Sequence, residues 1–291
     1  MTIRILSLHT YPVKSCGAIT HTQVDVWSAG LAHDRQWVVV DAEGRFLTQR
    51  AHPGMALVQP ALGEGALSLN APEMPTLRVS LRNTGSASPP TPISIWRNDT
   101  LGQDEGDVAA HWFSDYLGLA CRLYRVHPDA QRLADPQRVA AWLERHAVTD
   151  AGTVPQHHAF GFADSFPFLI ANQSSLDDLN QHLAARDLPA VGMNRFRPNI
   201  VIQGLAAYEE DYVSHLRIGP MTFAMVRGCP RCPMPNVDPA TAETGPEPMA
   251  TLSRYRQFET GILFGMHAVV GGAGRNTVLS VGDHVEALLD I

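Results

Sequence analysis

The segment at residues 229–232, Cys-Pro-Arg-Cys, has the spacing that says most about chemistry in this chain. A Cys-x-x-Cys pair is usually half of a zinc site or a redox disulfide. A structural zinc site needs four ligands, and the remaining cysteines, Cys16 and Cys121, stand alone in the sequence. The pair therefore lacks the partners that a zinc site would require.

A redox disulfide fits the same segment poorly. A thioredoxin-type pair lies where a helix begins, since the N-terminus of the helix lowers the pKa of the thiol. Pro233, Pro235 and Pro239 follow soon after the pair, and prolines disfavour a regular helix. We therefore expect a loop that presents a soft thiolate beside Arg231, which suits a metal ligand supplied by one cysteine.

Lys14 and Ser15 form a second candidate site, in the loop that follows the first predicted strand. Gly17 follows two residues after Ser15 and allows a ligand to approach the backbone closely. The glycine spacing of a Walker motif is absent, so phosphate binding rests on the lysine and the hydroxyl alone. The alternative is a solvated loop lysine.

Two arginines each precede an apolar strand. Arg35 could bind a phosphate with both arms of its guanidinium, and the alternative is a structural ion pair with Asp34. Arg197 precedes Pro198, so we expect an extended backbone at the strand entrance, a common place for an anion clamp. The alternative for Arg197 and Arg195 is a pair of surface arginines.

Hydrophobic periodicity predicts many short strands and few helices. This pattern favours a mainly β fold with inserted helices (α+β), with barrel-like modules rather than a doubly wound sheet. The predicted helices cover residues 108–117, 137–145 and 174–183. The predicted strands cover residues 3–8, 23–27, 37–41, 46–49, 67–69, 77–81, 93–96, 199–202, 216–218, 221–226, 268–270 and 285–288, with a hairpin joining the third and fourth.

Composition excludes several classes of protein. The 291 residues carry a net charge of -7, which argues against general affinity for nucleic acid or anionic membranes. The first residues are too short and interrupted for a secretory signal, and no apolar run is long enough to span a membrane. Four unevenly spaced cysteines indicate a reducing compartment, so we expect a cytoplasmic protein.

Five segments occur together and in one order that resembles a known family, the MOSC-domain proteins related to the mitochondrial amidoxime-reducing component and the bacterial YcbX-like proteins. These segments are Tyr11-Pro12-Val13-Lys14-Ser15, Asp34-Arg35-x-Trp37, Phe46-Leu47-Thr48-x-Arg50, Phe196-Arg197-Pro198-Asn199-Ile200, and Cys229-x-Arg231-Cys232 followed by Val237-Asp238-Pro239. The resemblance runs nearly end to end. It implies a MOSC N-terminal β-barrel domain at residues 1–125 and a pyruvate-kinase-barrel-like MOSC domain at residues 126–291.

The resemblance also implies a cofactor, molybdenum held by a pterin dithiolene (molybdopterin) and by one protein cysteine. That cysteine matches Cys232, which would be both the metal ligand and the catalytic residue. His267 stands where relatives carry tyrosine or asparagine. The implied cofactor-binding residues are Lys14, Ser15, Arg35, Ser165, Arg197, Asn199, Arg231 and His267.

The implied activity is the reduction of small N-hydroxylated compounds, N–OH to N–H plus water. The chain lacks the cysteine spacing of a ferredoxin cluster, so electrons are expected from a separate reductase, ferredoxin-like protein or cytochrome b5-like protein. Two other hypotheses stay open. One is a non-catalytic carrier of the cofactor or of sulfur, and the other is a zinc-stabilised structural β protein.

Overall fold

Strands dominate the computed structural model, which describes residues 2–82, 89–96, 98–146, 154–274 and 276–290. The elements of its first part are β1 (Arg4–Thr10), β2 (Ile19–His21), β3 (Gln23–Trp27), β4 (Gly30–Leu31), β5 (Trp37–Asp41), β6 (Gln59–Gly63), β7 (Ala66–Asn70), β8 (Leu77–Ser80), β9 (Thr91–Ile95), β10 (Asn98–Asp104), α1 (Asp107–Leu117) and β11 (Cys121–Val126). A 3-10 helix, Pro53–Leu57, precedes β6.

Among the described residues, the second part contains three α-helices and the longest strands. Its elements are α2 (Pro136–Arg145), β12 (Phe168–Asn172), α3 (Gln173–Ala184), β13 (Ile200–Gln203), β14 (Val213–Ile218), β15 (Met221–Pro230), α4 (Met249–Leu252), β16 (Gln257–Phe258), β17 (Gly261–Gly271), β18 (Val278–Ser280) and β19 (Glu286–Leu289). Short 3-10 helices lie at Met193–Arg195, Glu209–Tyr212 and Met234–Asn236. This content confirms the predicted mainly β fold with inserted helices.

The largest sheet joins both ends of the chain. It has nine strands, in the order β19-β14-β15-β17-β12-β13-β1-β2 with β16 paired to β17. Strand β1 pairs antiparallel with β13, so the first strand of the chain belongs to the sheet of the second part. Strand β3 likewise pairs with β4 on one side and with β18 on the other. The boundary predicted between residues 125 and 126 falls at the end of β11 and stays a prediction.

Two smaller sheets and α1 surround a separate core in the first part. The sheets run β5-β11-β10-β9 and β6-β7-β8. Their buried side chains include Trp37, Leu67 and Phe113, which belong to one apolar cluster. The core of the large sheet contains Leu8 and Phe168. Each cluster removes apolar surface from water, and this burial is the main force that stabilises each part.

Local sequence signals explain several element boundaries. Helix α2 begins at Pro136, and its cap residue Asp135 accepts hydrogen bonds from the next turn, as Asp does at N-caps. Helix α1 ends at Gly118, whose φ of 69° is left-handed. Strands β12 and β13 pair in parallel through α3, the crossover that a parallel pair requires.

The predicted hairpin at residues 37–49 is only partly correct. Strand β5 matches the prediction, but its predicted partner forms an isolated bridge between Val40 and Phe46 instead of a strand. β5 pairs with β11 along its whole length. The other edge of β5 keeps two backbone hydrogen bonds with the predicted partner: Asp41 N–H donates to the carbonyl of Arg45 over 2.9 Å, and Leu47 N–H donates to the carbonyl of Val39 over 2.8 Å.

Candidate functional site

One cleft collects side chains from both parts of the chain. It encloses about 590 Å³, part of it open to solvent. The first part contributes the loops after β1 and β4. The second part contributes the loops before β12 and β13, together with strands β15 and β17. All eight residues predicted to bind a cofactor line the cleft, namely Lys14, Ser15, Arg35, Ser165, Arg197, Asn199, Arg231 and His267. Their role in binding stays a prediction.

Three of these residues have a left-handed backbone. The φ angles are 69° at Ser15, 46° at Arg35 and 59° at Arg197. Such values are uncommon for residues other than glycine, and they concentrate at ligand-binding sites, where the surrounding structure holds them. The predicted extended backbone of Arg197 is therefore wrong. Its turned backbone accompanies a buried side chain, whose Nη1 donates to the carbonyl of Cys16 over 2.6 Å.

The ring of Tyr11 supports two of the arginines. The guanidinium carbons of Arg35 and Arg197 each lie 4.2 Å from the centre of this ring. Cation–π contacts of this kind are strongest where water is excluded. Burial raises the pKa of Tyr11 to about 12, although the two arginines oppose the shift. Tyr11 therefore stays neutral and acts as a platform for the cations.

Lys14 is buried, so the alternative of a solvated loop lysine is wrong. Its Nζ donates to the carbonyl of Phe162 over 2.9 Å and to the carboxylate of Asp164. Burial lowers the pKa of Lys14, and the neighbouring Asp164 opposes this effect. The ammonium group thus lies inside the protein with one fixed counter-charge.

The cleft contains more positive than negative charge. Arg35 forms an ion pair with Asp34 at 2.6 Å, which is the structural role that was the alternative to phosphate binding. Its side chain also lines the cleft. Arg197 and Arg231 have no carboxylate partner in the described part of the chain. Burial lowers the pKa of Arg197 to about 10. Buried cations without counter-charges are costly, so the cleft is suited to an anionic ligand.

The thiol end of the cleft is formed by β15. The register of β15 against β17 shifts twice, between Met225 and Arg227 and again between Gly228 and Pro230. Bulges of this kind redirect side chains and are common beside functional sites. Here the bulged end of the strand brings the buried Cys229 to the wall of the cleft.

The thiol of Cys229 is activated by its neighbours. Arg231 Nη1 lies 3.1 Å from the sulfur, and the ring of His267 also hydrogen-bonds to it. Burial alone would raise the pKa of Cys229, but His267 and Arg231 outweigh burial and lower the pKa to about 6. A thiolate is the form that binds metals. The cleft therefore presents a sulfur whose thiolate form is favoured at neutral pH.

Cys232 occupies a different position from Cys229. It lies after β15, is half-buried, and is not among the residues that line the cleft. The segment was predicted to be a loop throughout, but β15 continues to Pro230, so only Arg231 and Cys232 of the four residues lie in the loop. The sulfur of Cys232 has no hydrogen-bond partner among the described residues.

Two predicted residues brace the cleft wall. The side chain of Asn199 accepts a hydrogen bond from the backbone of Leu169 at 3.1 Å and donates to the carbonyl of His9 at 3.3 Å. It thereby ties three segments together. The ring of His267 stacks on Phe166, with 5.1 Å between the ring centres.

Three buried polar atoms of the cleft lack a protein partner in the described ranges. They are Ser15 Oγ, Arg231 Nε and His267 Nδ1. Buried polar groups are nearly always hydrogen-bonded, so a set of unpaired atoms that lines one cleft indicates a polar ligand. An arginine N–H, a histidine ring nitrogen, a hydroxyl, cations and a thiolate together fit a polar anionic group that also carries a soft metal.

Sequence reasoning missed two residues of this cleft. Asp164 directly precedes the predicted Ser165 and forms the counter-charge of Lys14, but a single loop carboxylate has no pattern that marks it. Cys229 was recognised only as a neighbour of Cys232. The bulged pairing that turns it inward depends on contacts with β17, which are remote in sequence.

Comparison with known protein families matches each half of the chain to a domain. Residues 2–120 match the MOSC N-terminal beta barrel domain, and residues 157–286 match the MOSC domain. The fold and the cleft therefore belong to a protein of the two-domain MOSC class.

Curated relatives show which group of MOSC proteins this chain is similar to. The chain is 31% identical over 293 residues to mitochondrial amidoxime reducing component 2 of Rattus norvegicus, a match that covers 96% of this chain and 82% of the relative. It is 30% identical over 298 residues to mitochondrial amidoxime-reducing component 1 of Homo sapiens, covering 98% and 82%. The chain belongs to the MOSC family that includes these amidoxime-reducing components.

A third relative has a different name. The chain is 28% identical over 270 residues to molybdenum cofactor sulfurase of Arabidopsis thaliana, a match that covers 89% of this chain and 32% of that protein. The match thus spans about a third of the length of the sulfurase. Among the residues that the structure describes, no helix has both the length and the apolar character needed to cross a membrane.

Proposed function

We propose that this chain is a molybdenum-cofactor-dependent reductase of N-hydroxylated compounds, converting N–OH to N–H plus water with electrons from a separate redox protein. The observation that supports it most is the cleft in which Lys14, Arg35 and Arg197 face an activated thiol. The names of the amidoxime-reducing relatives support the same activity.

The cleft residues would hold the cofactor by charge and by hydrogen bonds. Lys14, Arg35 and Arg197 supply the cations for a pterin phosphate, and Arg197 does so without a carboxylate competitor. Ser15 Oγ and His267 Nδ1 are free to bond to polar edges of the pterin. When bound, molybdopterin would supply two-electron oxygen-atom chemistry at its molybdenum.

We keep Cys232 as the proposed metal ligand and catalytic residue, because its place in the motif matches the ligand position of the family. Its sulfur is half-buried and has no protein partner in the described residues. Cys229 is the alternative that the cleft offers, since it lines the wall and is activated by Arg231. The two assignments differ in one measurable respect, which is the cysteine whose removal releases the metal.

The protein itself would position the cofactor and the substrate, supply charge and exclude water. The arginines would hold the anionic end of the cofactor, Phe166 lines the wall of the cleft, and the ring of Tyr11 supports two of the arginines. Electrons would arrive from a reductase, a ferredoxin-like protein or a cytochrome b5-like protein. The small N-hydroxylated substrate, the absence of nucleic-acid and membrane partners, and the cytoplasmic location remain predictions.

A carrier of the cofactor or of sulfur is the second candidate function. The observation that favours it is the match to the protein named molybdenum cofactor sulfurase. A carrier would bind the same cofactor in the same cleft without turning over a substrate.

Turnover by the loaded protein separates the two functions. The protein is purified from a host that makes molybdopterin, its cofactor content is measured, and an amidoxime is supplied with a chemically reduced viologen as electron donor. Formation of the amidine supports the reductase. A fully loaded protein that forms no amidine, and reduces no other N-hydroxylated compound, would contradict it and support the carrier.

A further inference from the structure

A second cavity, lined by arginines, lies outside the cofactor cleft, where α2 covers strands β14, β15 and β17. It encloses about 720 Å³, part of it open to solvent. Its basic side chains are Arg138, Arg145, His146 and Arg227, and its carboxylates are Asp211 and Asp290. None of these six residues lines the cofactor cleft. Since the chain carries a net charge of -7, a surface rich in arginine is a local exception to its charge.

The guanidinium groups of this cavity are available to an acidic ligand. Arg227 is half-buried and has no hydrogen-bond or carboxylate partner in the described part of the chain. Arg138 pairs with Asp135 over 3.3 Å, and both side chains are exposed. Arg145 is 69% exposed and pairs with Asp290 over 3.5 Å. Ion pairs between exposed side chains contribute little, so both arginines can exchange their carboxylate for one of a ligand.

Two exposed apolar side chains flank the cavity. Tyr212 is 67% exposed and lies between Asp211 and Val213, which both line the cavity. Leu289 is also exposed and directly precedes Asp290. The backbone N–H of Asp290 donates to the carbonyl of Tyr212 over 2.7 Å, which holds the two segments together. Tyrosine and arginine are enriched where proteins bind one another, so the surface has the composition of a protein interface.

Helix α2 presents its arginines from a fixed position. The indole Nε1 of Trp142 donates to the carbonyl of Ser214 over 2.9 Å and ties the helix to β14. Val139 and Trp142 are buried in an apolar cluster with Phe160. A partner that binds the exposed side of α2 therefore meets a surface that is already ordered, which lowers the entropic cost of binding.

Strands β15 and β17 separate this cavity from the cofactor cleft. On β15, Gly228 lines the cavity and the next residue, Cys229, lines the cleft. On β17, Met266 lines the cavity and His267 lines the cleft. Arg227 is two residues from Cys229, about 7 Å along an extended strand. A molecule bound in the cavity therefore lies one layer of strands away from the cofactor cleft.

We propose that Arg138, Arg145 and Arg227, with Tyr212 and Leu289 at their edge, form the docking surface for the electron donor, and that the donor is a small ferredoxin-like protein with an acidic face. We call this surface the arginine face. This inference rests on the proposed function, which requires electrons from a separate protein.

Charge supports this occupant over the alternatives. The chain as a whole is acidic, so it repels an acidic donor and leaves the arginine face as the favoured approach. A second copy of this chain fits less well, because a two-fold symmetric contact would bring two arginine-rich surfaces together. An acidic electron carrier satisfies both the charge of the face and its place beside the cleft.

The electron count agrees with a small and transient complex. Reduction of N–OH to N–H and water takes up two electrons and two protons. A ferredoxin carries one electron, so two successive encounters oxidise two ferredoxins and deliver both electrons, while the protons come from solvent. The donor must leave between encounters, and electron-transfer complexes are correspondingly small and weak. Exposed arginines suit such a complex, because they steer an acidic partner and release it readily.

Binding of an oxidised plant-type ferredoxin tests the arginine face without turnover. This acidic carrier is titrated calorimetrically into the cofactor-loaded protein at low ionic strength. In Arg145→Glu its dissociation constant should rise about tenfold or more, since a charge on the face is reversed. Arg78→Glu is the matched control, because Arg78 is an exposed arginine of β8 that pairs with Glu64 and does not line the cavity.

Two results of this titration overturn the inference. One is a wild-type protein that binds no ferredoxin. The other is equal weakening in Arg145→Glu and Arg78→Glu, which would show that only the net charge matters. Raising the ionic strength from about 0.02 M to about 0.2 M should weaken wild-type binding more than that of Arg145→Glu, because salt screens the charges that the variant no longer offers.

Turnover with two donors separates this inference from the proposed function. With reduced ferredoxin below saturation, Arg145→Glu should reduce benzamidoxime about tenfold more slowly than the wild type. With reduced viologen, a small dye that needs no docking surface, the two proteins should be equal. Equal falls with both donors place the defect at the cofactor and overturn the inference. If the wild type reduces nothing with viologen but Arg145→Glu still loses ferredoxin, the reductase is wrong and the docking surface stands.

A second variant keeps every arginine and the Arg145–Asp290 pair. Ala141 is exposed on α2 and lines the cavity between Arg138 and Arg145. Glutamate is a good helix former, so Ala141→Glu adds one negative charge to the face and should weaken ferredoxin binding about fivefold. Wild-type binding by this variant contradicts the proposal. Analytical ultracentrifugation tests the remaining occupant, since a wild-type dimer that Arg145→Glu dissociates would show that the face joins two copies of the chain.

Discussion

Arg231 Nη1 donates to the sulfur of Cys229 over 3.1 Å, so the residues on either side of Pro230 form a closed pair at the end of β15. Arg231 Nη2 donates in addition to the carbonyl of Phe196 over 2.9 Å, which links the pair to the loop before β13. The guanidinium thus compensates the Cys229 thiolate and fixes it in the cleft. Cys232 follows the pair directly and has no such partner in the described residues.

The place of Cys232 in the family motif predicts unequal effects of the two cysteines on metal binding. Cys232→Ala should lose the molybdenum, while Cys229→Ala should retain it and lose only the contact with Arg231. The measurement is molybdenum per chain after purification from a cofactor-producing host. Loss in Cys229→Ala alone would make Cys229 the ligand, and equal loss in both would show that the pair binds as a unit.

Arg197 should be required for retention of the cofactor. In Arg197→Ala the buried cation and its bond to the Cys16 carbonyl are both lost, and we expect about tenfold weaker retention of the pterin. Pterin content after extensive dialysis is the readout. Arg195→Ala is the matched control, because Arg195 pairs with Asp238 at 2.7 Å and does not line the cleft. Similar losses in the two variants would refute the role of Arg197.

Gly161 should tolerate no side chain. A Cβ atom there would lie 2.6 Å from the backbone oxygen of Arg35, so the backbone that positions this cation must shift. We expect Gly161→Ala to lower the free energy of unfolding by about 1–3 kcal/mol and to reduce pterin content. Urea denaturation and cofactor analysis measure the two effects.

Gly245 provides the control for this substitution. A Cβ atom at Gly245 meets nothing within 4 Å, and its φ is not left-handed. Gly245→Ala should therefore leave stability and cofactor content near those of the wild type. A Gly161→Ala protein that behaves like Gly245→Ala would show that the loop before β12 can move without affecting Arg35.

Glu210 should make stability fall as the pH rises. Its side chain is fully buried and receives a hydrogen bond from Ser175 at 2.7 Å. Burial raises the pKa of Glu210 to about 7, above its value in the unfolded chain. The stability associated with this raised pKa is fully present below the unfolded pKa of about 4 and is lost as the pH rises through about 7.

The loss assigned to Glu210 between these limits is of the order of 3 kcal/mol, and Glu210→Gln should remove that part of the pH dependence. The free energy of unfolding in urea, measured at a series of pH values from about 5 to 8, tests this. Glu144→Gln, a change at an exposed position of α2, should keep the wild-type profile. A wild-type profile in Glu210→Gln would show that Glu210 does not control this pH dependence.

Local patterns predicted much of the fold. Strand β3 alternates between exposed and buried residues as its sequence indicates, and the three predicted helices match α1, α2 and α3 within a residue or two. Strand β12 was missed, because all five of its residues are buried and no alternation marks it. Without alternation, such a run is indistinguishable from other buried segments by periodicity.

The sequence predicted the cations of the candidate site but not the geometry in which the structure holds them. Lys14, Arg35 and Arg197 were recognised from their motifs, and the structure brings them to one cleft. The backbone of Arg197 was wrongly predicted, because a left-handed φ before proline depends on tertiary contacts that local rules omit. The fixation of Asp164 by Lys14 and Trp96 likewise joins segments far apart in sequence.

Metal analysis tests the central claim most directly. The wild-type protein, made in a host that synthesises molybdopterin, is analysed for metals and for pterin released on denaturation. The account predicts about one molybdenum and one pterin per chain, as expected for one cofactor held by one cysteine ligand. Zinc without molybdenum, in a protein from the same host, would contradict both the reductase and the carrier and would favour a structural metal site.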